Sequence, residues 1–283
     1  MLKNYLQIAL RHLWRHKGYT TLNVAGLAIG MMCCVLILLY VRQETRYDRF
    51  HENAERIVRL VSDDEIGDNA VNLSTSPGAA AAALKGEFSE VQQAVRFFKL
   101  FGGEAVVNYG EKRFWESRFF FGDAEVFEVF SFPLLAGNPQ TALAGPQKIV
   151  ITQATAQKYF GTENPLGKTL ALGDSLHLEV TGVMADLPAA THLRFDFLAS
   201  MPTLDSIYPG LREDWISLLF YTYVLLPEGH DQNQLAERLK NFAQKYDVQG
   251  TGKRAYTLEP LSDIHVYSSR QPQPEPNGDI AYV

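Results

Sequence analysis

The sequence predicts an α+β protein: one N-terminal transmembrane helix followed by a two-part extracytoplasmic domain of paired βαβ units with a β-rich inserted subdomain. Three observations predict it. An uncharged run extends from Gly18 to Val41, the order strand, helix, strand occurs twice beyond it, and a group of strand-like runs separates the two occurrences.

Residues 1–17 come first. Leu2, Leu6, Ala9, Leu10 and Leu13 recur at helical spacing while Lys3, Gln7, Arg11 and Arg15 occupy other faces, the pattern of an amphipathic helix lying along a membrane surface. The uncharged run that follows has 24 residues. As a helix it would reach about 36 Å, enough to cross a hydrocarbon core of about 30 Å. A cleaved signal would have a shorter apolar core followed by small residues, and "LLYVRQETR" provides no such site. Lys3, Arg11, Arg15 and Lys17 precede the run without a single acid, so the positive-inside rule puts the N-terminus in the cytoplasm. Within the run, Gly26 and Gly30 form a G-x-x-x-G pair beside Ala25 and Ala28, a face suited to helix packing. A lone anchor gains little from such a face.

After the span, residues 42–54 hold no Gly or Pro, so a charged helical stalk is expected to continue outward from the membrane. "RIVRLVS", "SPGAAAALKGEF" and "AVRFFKL" then read as strand, helix and strand, with Ser76 as N-cap and Pro77 in the first turn. The order returns in "LFYTYVLL", "DQNQLAERLKNFAQKY" and "AYTLEPL", where Asp231 is the expected N-cap with Gln234 three residues on, and Leu235, Leu239, Phe242 and Tyr246 share one helix face. Two such units can pair into one sheet with both helices on one side, as in ferredoxin-like domains. The first subdomain is therefore assigned to residues 55–110 and 219–262, and the insert to 111–218. In the insert, "KIVIT", "KTLAL", "LHLEVTGVM" and "RFDFLAS" are strand candidates and "QATAQKYFG" is a short helix stopped by Gly161. Residues 269–283, with "RQPQPEPNG", read as an extended linker.

Composition excludes several function classes. Beyond Val41 there are 22 Lys and Arg against all 32 Asp and Glu, the wrong sign for a nucleic-acid partner. Both cysteines, Cys33 and Cys34, fall inside the span, so the domain beyond it has no disulfide, thiolate catalyst or Cys-ligated zinc. "GTENPLGKTL" imitates a phosphate-binding loop but has five residues before its Gly-Lys pair instead of four and leads into a strand-like run, which favours a simple turn. His192 stands near Asp186 and Asp196, where a loop cluster or, better, a turn anchored by side-chain hydrogen bonds is expected. No metal-ligand spacing and no G-x-S-x-G elbow occur. No cofactor, metal site or catalytic residue is assigned, and the protein is read as a non-enzyme.

The stretches "YLQIALRHLWRHKGYTTLNVAGLAIGM", "YDRFHENAERIVRLV", "VFEVFSFPLLAGNPQTAL", "KIVITQATAQKYFGTENPLGKTL", "VTGVMADLPAATHLRFDFLAS" and "PLSDIHVYSS", in this order, resemble the MacB/FtsX-type permeases of ABC transporters, in the long form common among Bacteroidetes-like bacteria. The resemblance covers essentially the whole chain. It implies a MacB-like periplasmic core domain over residues 55–268, with a porter-like subdomain and an insert, in the bacterial inner membrane. It also implies a separate cytoplasmic ABC ATPase as partner, a homodimer or second permease half when full length, and motion passed across the bilayer without cargo crossing it. Relatives continue into further spans, and "NGDIAYV" resembles the sequence just before the second one, so an N-terminal fragment is expected. The competing expectations are a single-span binding or sensing module and a membrane-tethered hydrolase, the latter without a catalytic constellation.

Overall fold

The computed structural model describes residues 2–44, 46–66, 69–100, 104–229, 232–247 and 253–275. The chain divides into two units, Met1–Arg46 and Tyr47–Ile280.

The first unit contains α1 (Leu2–Arg15) and α2 (Lys17–Glu44). His16 forms the joint, its N–H bonding the carbonyl of His12 at 3.2 Å while Thr20 returns to His16 at 3.0 Å. No residue of α2 is buried, and the helix is long and apolar enough to cross a membrane. Apolar side chains on every face need lipid as solvent, because water would be excluded from none of them otherwise. The protein is membrane-anchored in this sense. Gly26 and Gly30 lie on this helix with open space where a Cβ would stand.

The expected helical stalk to Ala54 is not observed. The helix stops at Glu44, and residues 46–53 turn before a short 3-10 segment at Ala54–Arg56. Asp48 adopts φ 57°, a left-handed conformation that an α-helix cannot contain. Tertiary hydrogen bonds described below hold it there and override a sequence free of helix breakers.

The second unit starts with β1 (Ile57–Ile66), β2 (Asn69–Leu73), β3 (Ser76–Pro77), α3 (Ala80–Glu87) and β4 (Gln93–Lys99). It continues through β5 (Ala105–Tyr109), β6 (Lys112–Glu116), β7 (Phe119–Gly122), α4 (Val126–Val129), β8 (Leu134–Gly137), β9 (Lys148–Thr152) and α5 (Gln153–Phe160). Then come β10 (Thr169–Leu172), β11 (Leu176–Met184), β12 (Phe197–Ser200), β13 (Leu218–Leu225), α6 (Gln232–Lys245), β14 (Ala255–Pro260) and α7 (Leu261–Tyr267).

The two βαβ units, β1–α3–β4 and β13–α6–β14, interleave as β14-β1-β13-β4 with every neighbour antiparallel, the ferredoxin-like order. Alternation along the strands gives this sheet two apolar faces. On one, Val58, Leu60 and Val224 meet Ala80, Leu84 and Phe88 of the α3 region and Leu235, Leu239 and Phe242 of α6. On the other, Ile57, Val95, Phe97, Tyr223 and Leu225 pack with Val126, Val129 and Phe130 around α4 and with Leu261 and Ile264 of α7.

The insert does not form a detached second sheet. β4 pairs with β7, and the ladder runs on through β12, β9, β11 and β10 to β5 and β6, a continuous path among the described residues. Its own core joins Phe98, Phe119, Phe121, Phe197, Tyr159 and Leu178. β5 lies at the far end, paired with β6 and β10, so the boundary placed at residue 110 belongs before β5, between Lys99 and Ala105. β11 shows the expected alternation, with Leu178 and Val180 buried and His177 and Glu179 exposed, and α5 ends at Gly161 with φ 63°. The phosphate-loop imitation is a turn between α5 and β10 whose Lys168 pairs with Glu163.

One cap differs from expectation. Ser76 and Pro77 form β3 against β13, the Ser76 hydroxyl bonds Thr222 at 2.7 Å, and α3 starts only at Ala80. Gly78 makes this possible, since a Cβ there would stand 2.4 Å from the Leu211 carbonyl oxygen. Asp231, the expected cap of α6, lies outside the described residues, as do residues 276–283 of the linker.

Candidate coupling site

The segment Tyr47–Arg56 follows the span directly in sequence, opens the second unit, and is stitched to the rest of that unit through Tyr47, Asp48, His51, Glu52, Asn53 and Arg56. Tyr47 stacks on His265 of α7, with ring centroids 3.2 Å apart and planes 5° from parallel. The backbone N–H of Asp48 bonds the Ala190 carbonyl at 3.1 Å. Its carboxylate, in a residue 1% exposed, accepts from the Thr191 hydroxyl at 2.6 Å and the His192 N–H at 3.2 Å, and lies 2.7 Å from His192 Nδ1. Burial alone would raise the Asp48 pKa, but the charge of His192 and the hydrogen bonds of His192 and Thr191 together hold it below the ordinary value. The anchored turn expected at His192 exists, with Asp48 as its acid. Asp186 instead accepts the Ala154 N–H at the start of α5.

The following residues repeat the pattern against the α4 region. His51 Nδ1 accepts the Ser131 N–H at 3.1 Å, which fixes the neutral tautomer with its proton on Nε2. Phe130 and Phe132 meet the same ring edge-on at 5.0 and 5.2 Å. Burial chiefly, with Asp48 opposing and His192 assisting, pushes the His51 pKa down to about 4. Glu52 N–H bonds the Ser131 hydroxyl at 2.9 Å, and the Asn53 amide donates to the Val129 carbonyl at 3.2 Å.

From Asp48 a buried polar line crosses the sheet. His192 Nε2 stands 2.6 Å from the Tyr223 hydroxyl on β13. Arg59 of β1 is directly opposite Tyr223 in the ladder, so the two side chains are neighbours on one face of the sheet. The Arg59 guanidinium, wholly buried, grips Glu259 of β14 at 2.6 Å and Gln273 at 2.8 Å, with Ser268 at 3.4 Å. Gln273 belongs to residues 268–275, which form a strap. Gln271 pairs with Asn72 and Ser74, Lys99 donates to the Pro274 carbonyl at 3.0 Å, and Arg118 reaches Glu275 at 3.6 Å. The incoming and outgoing segments of the domain are thus joined through Asp48, His192, Tyr223 and Arg59.

Asp48, His192 and Tyr223 share the residue types of a nucleophile-activating triad, but their chemistry is opposite. Burial raises the Tyr223 pKa and so holds the hydroxyl protonated. The ring is enclosed by Phe97 and Phe130, which leaves a substrate no approach. Among the described residues no three His, Cys, Asp or Glu side chains converge as a metal requires. Beside the site an open cleft of about 970 Å³ is lined by Arg49, Glu52, Glu55, Arg56 and Glu228.

Sequence reasoning singled out His192 but neither Asp48, Tyr223 nor Arg59. The available signal was the pair of stretches "YDRFHENAERIVRLV" and "VTGVMADLPAATHLRFDFLAS", which contain Asp48, Arg59 and His192.

Residues 20–242 match the family described as MacB-like periplasmic core domain. Three solved structures share the fold. A domain of a provisionally assigned permease protein from Porphyromonas gingivalis superposes with a TM-score of 0.64 at 22% identity, covering 78% of this chain and 95% of that one. The periplasmic region of MacB from Actinobacillus actinomycetemcomitans gives 0.55 at 16% identity, with 75% and 91% covered. The extracellular domain of the noncanonic ABC-type transporter YknZ from Gram-positive bacteria gives 0.50 at 16%, with 71% and 98% covered. At these identities the likeness concerns the fold alone. No match is found among curated protein sequences.

Proposed function

Because this chain belongs to the family of MacB-like periplasmic core domains, we propose that it is a membrane permease subunit of an ABC transporter. It couples ATP hydrolysis by a separate cytoplasmic ATPase to movement of its periplasmic domain, for efflux or mechanotransmission. In this reading α2 crosses the bacterial inner membrane with residues 1–17 in the cytoplasm, and the body beyond residue 42 is periplasmic. Gly26 and Gly30 pack against a second span, in a homodimer or a second permease half. Hydrolysis belongs to the partner, so the chain needs no catalytic residue of its own.

The observation that carries this reading is the buried line from Asp48 to Gln273. A displacement of α2 passes covalently to Tyr47 within three residues of Glu44, and the network distributes it to β13, β1, β14 and the outgoing strap. The test is cross-linking of the full chain in the membranes of its source, followed by identification of its neighbours. An ABC ATPase is expected among them. Nucleotide should change a spin-label distance within the periplasmic body, and Asp48→Ala should abolish that change without releasing the chain from the membrane. Absence of any ATPase neighbour overturns the proposal.

A second reading, a single-span binding or sensing module, draws support from the 970 Å³ cleft and its mixed charge. It would gain ground if a small periplasmic solute protected Arg49 and Arg56 from modification while no ATPase was recovered.

A further inference from the structure

The joint between α1 and α2 carries polar groups that neither packing nor the proposed coupling uses. A cleft of about 260 Å³ opens there, lined by His12, His16, Tyr19, Thr20 and Asn23 with Leu13 and Val24. The rings of His12 and His16 lie 5.0 Å apart, and Thr20 Oγ1 donates to the Leu13 carbonyl at 3.1 Å across the joint. Among the described residues the Asn23 amide meets no partner. An amide inside an apolar helix costs free energy in lipid unless something accepts its hydrogen bonds.

Depth and charge indicate what that partner is. α2 has 28 residues, so it is about 42 Å long against a hydrocarbon core of about 30 Å, and its first turns must lie at headgroup level. Tyr19 and Trp14 are exposed there, as interfacial aromatics are, and Lys17 stands 5.4 Å over the Trp14 ring. Lys3, Arg11, Arg15 and Lys17 precede the span, and no acid occurs before Glu44. Directly beyond the cleft, Leu22, Val24 and Leu27 are exposed apolar surface. Imidazole N–H, phenol and amide donors in a positive field, bordered by a greasy track, match a phosphodiester with an attached acyl chain.

We propose that this cleft binds the phosphate headgroup of one anionic phospholipid. Its donors hold the phosphate while an acyl chain lies along the Leu22–Leu27 surface. The ligand fixes the depth of α1 and of the first turn of α2. The inference rests on the reading above that α2 spans a membrane with its N-terminus at the inner leaflet.

The test uses the full chain in mild detergent, titrated with dioleoylphosphatidylglycerol or dioleoylphosphatidylcholine and read by native mass spectrometry. One phosphatidylglycerol per chain should be retained at a concentration at least ten-fold lower than phosphatidylcholine. His12→Ala/His16→Ala and, separately, Asn23→Leu should each erase that difference. Asn23→Leu strengthens the span and so keeps the test valid if the histidine variant folds poorly. Equal retention of the two lipids overturns the proposal, as does a preference that survives both variants. Equal binding of glycerol 3-phosphate without acyl chains would assign the cleft to a soluble phosphate, and loss of ATPase cross-linking with lipid retention unchanged would assign it to a protein; either result overturns the lipid assignment. Alkaline carbonate applied to wild-type membranes separates the two readings. A stripped chain sinks the span itself, whereas a retained chain without lipid preference sinks only the headgroup site.

Discussion

Replacing Asp48 by alanine strands the Thr191 hydroxyl, the His192 N–H and the His192 ring together among buried groups. The expected cost is about 3–5 kcal/mol, the range for removing one member of a buried charged network. Asp48→Asn keeps the shape and one acceptor and should cost about 1–3 kcal/mol. Urea unfolding of the full chain in detergent, followed by near-UV circular dichroism, separates the two. Tyr223→Phe removes only the hydroxyl that meets His192 Nε2 and should fall near the Asn value. None of this pairing was legible beforehand, because Asp48 and His192 are 144 residues apart and both occur among other polar residues. An acid in a charged segment looks solvated until the fold brings a histidine over it. The two glycines of the span are the converse case: they are plain in the sequence, and their role depends on a neighbouring helix.

At the level of elements, periodicity and turn chemistry located β9, β11, β13 and α5 well, since each is governed by its own residues. The failures occur where distant contacts decide. Residues 42–54 have helical sequence, yet Asp48 is pulled into the left-handed region. Ser76 has the chemistry of an N-cap, yet β13 recruits it as a strand. Gly26→Leu/Gly30→Leu offers a test of the span. Glycine disfavours a helix by about 1 kcal/mol relative to alanine, and no atom within 4 Å opposes a side chain at either position. Substitution should therefore leave insertion intact or improved, while cross-linked assemblies diminish. Unchanged assembly would remove the packing role. For the strap, Arg59→Ala should leave the partly buried Glu259 and Gln273 without their shared partner, cost about 2–4 kcal/mol, and open the chain to trypsin at Arg270. The double change Arg59→Met/Glu259→Leu should recover most of that stability, since an apolar pair can replace a buried ion pair.

For the molecule as a whole, acid is the most direct probe. His51 is neutral in the fold with its pKa pushed down to about 4, whereas an unfolded histidine titrates near 6.5. The unfolded chain thus binds a proton that the folded chain refuses. The stability from this group is complete above about pH 6.5 and declines as pH falls toward 4, by roughly 3 kcal/mol across that window. Asp48, held below its ordinary value, adds its own loss below the usual carboxylate range. Thermal melts between pH 7.5 and 4.5 should show the decline, and His51→Phe should flatten its upper part. The ferredoxin-like pairing has a further consequence, which concerns time. β1 is made early, yet its partner β14 arrives 200 residues later, counted from Arg59 to Glu259. During synthesis the Ile66 end of this ribbon can fold back on β2, but its Ile57–Leu60 edge waits for β13 and its opposite edge for β14, so folding is slow and sticky intermediates accumulate. Cells that lack a holding chaperone in the receiving compartment should therefore degrade or aggregate the newly made polypeptide, while the finished domain endures.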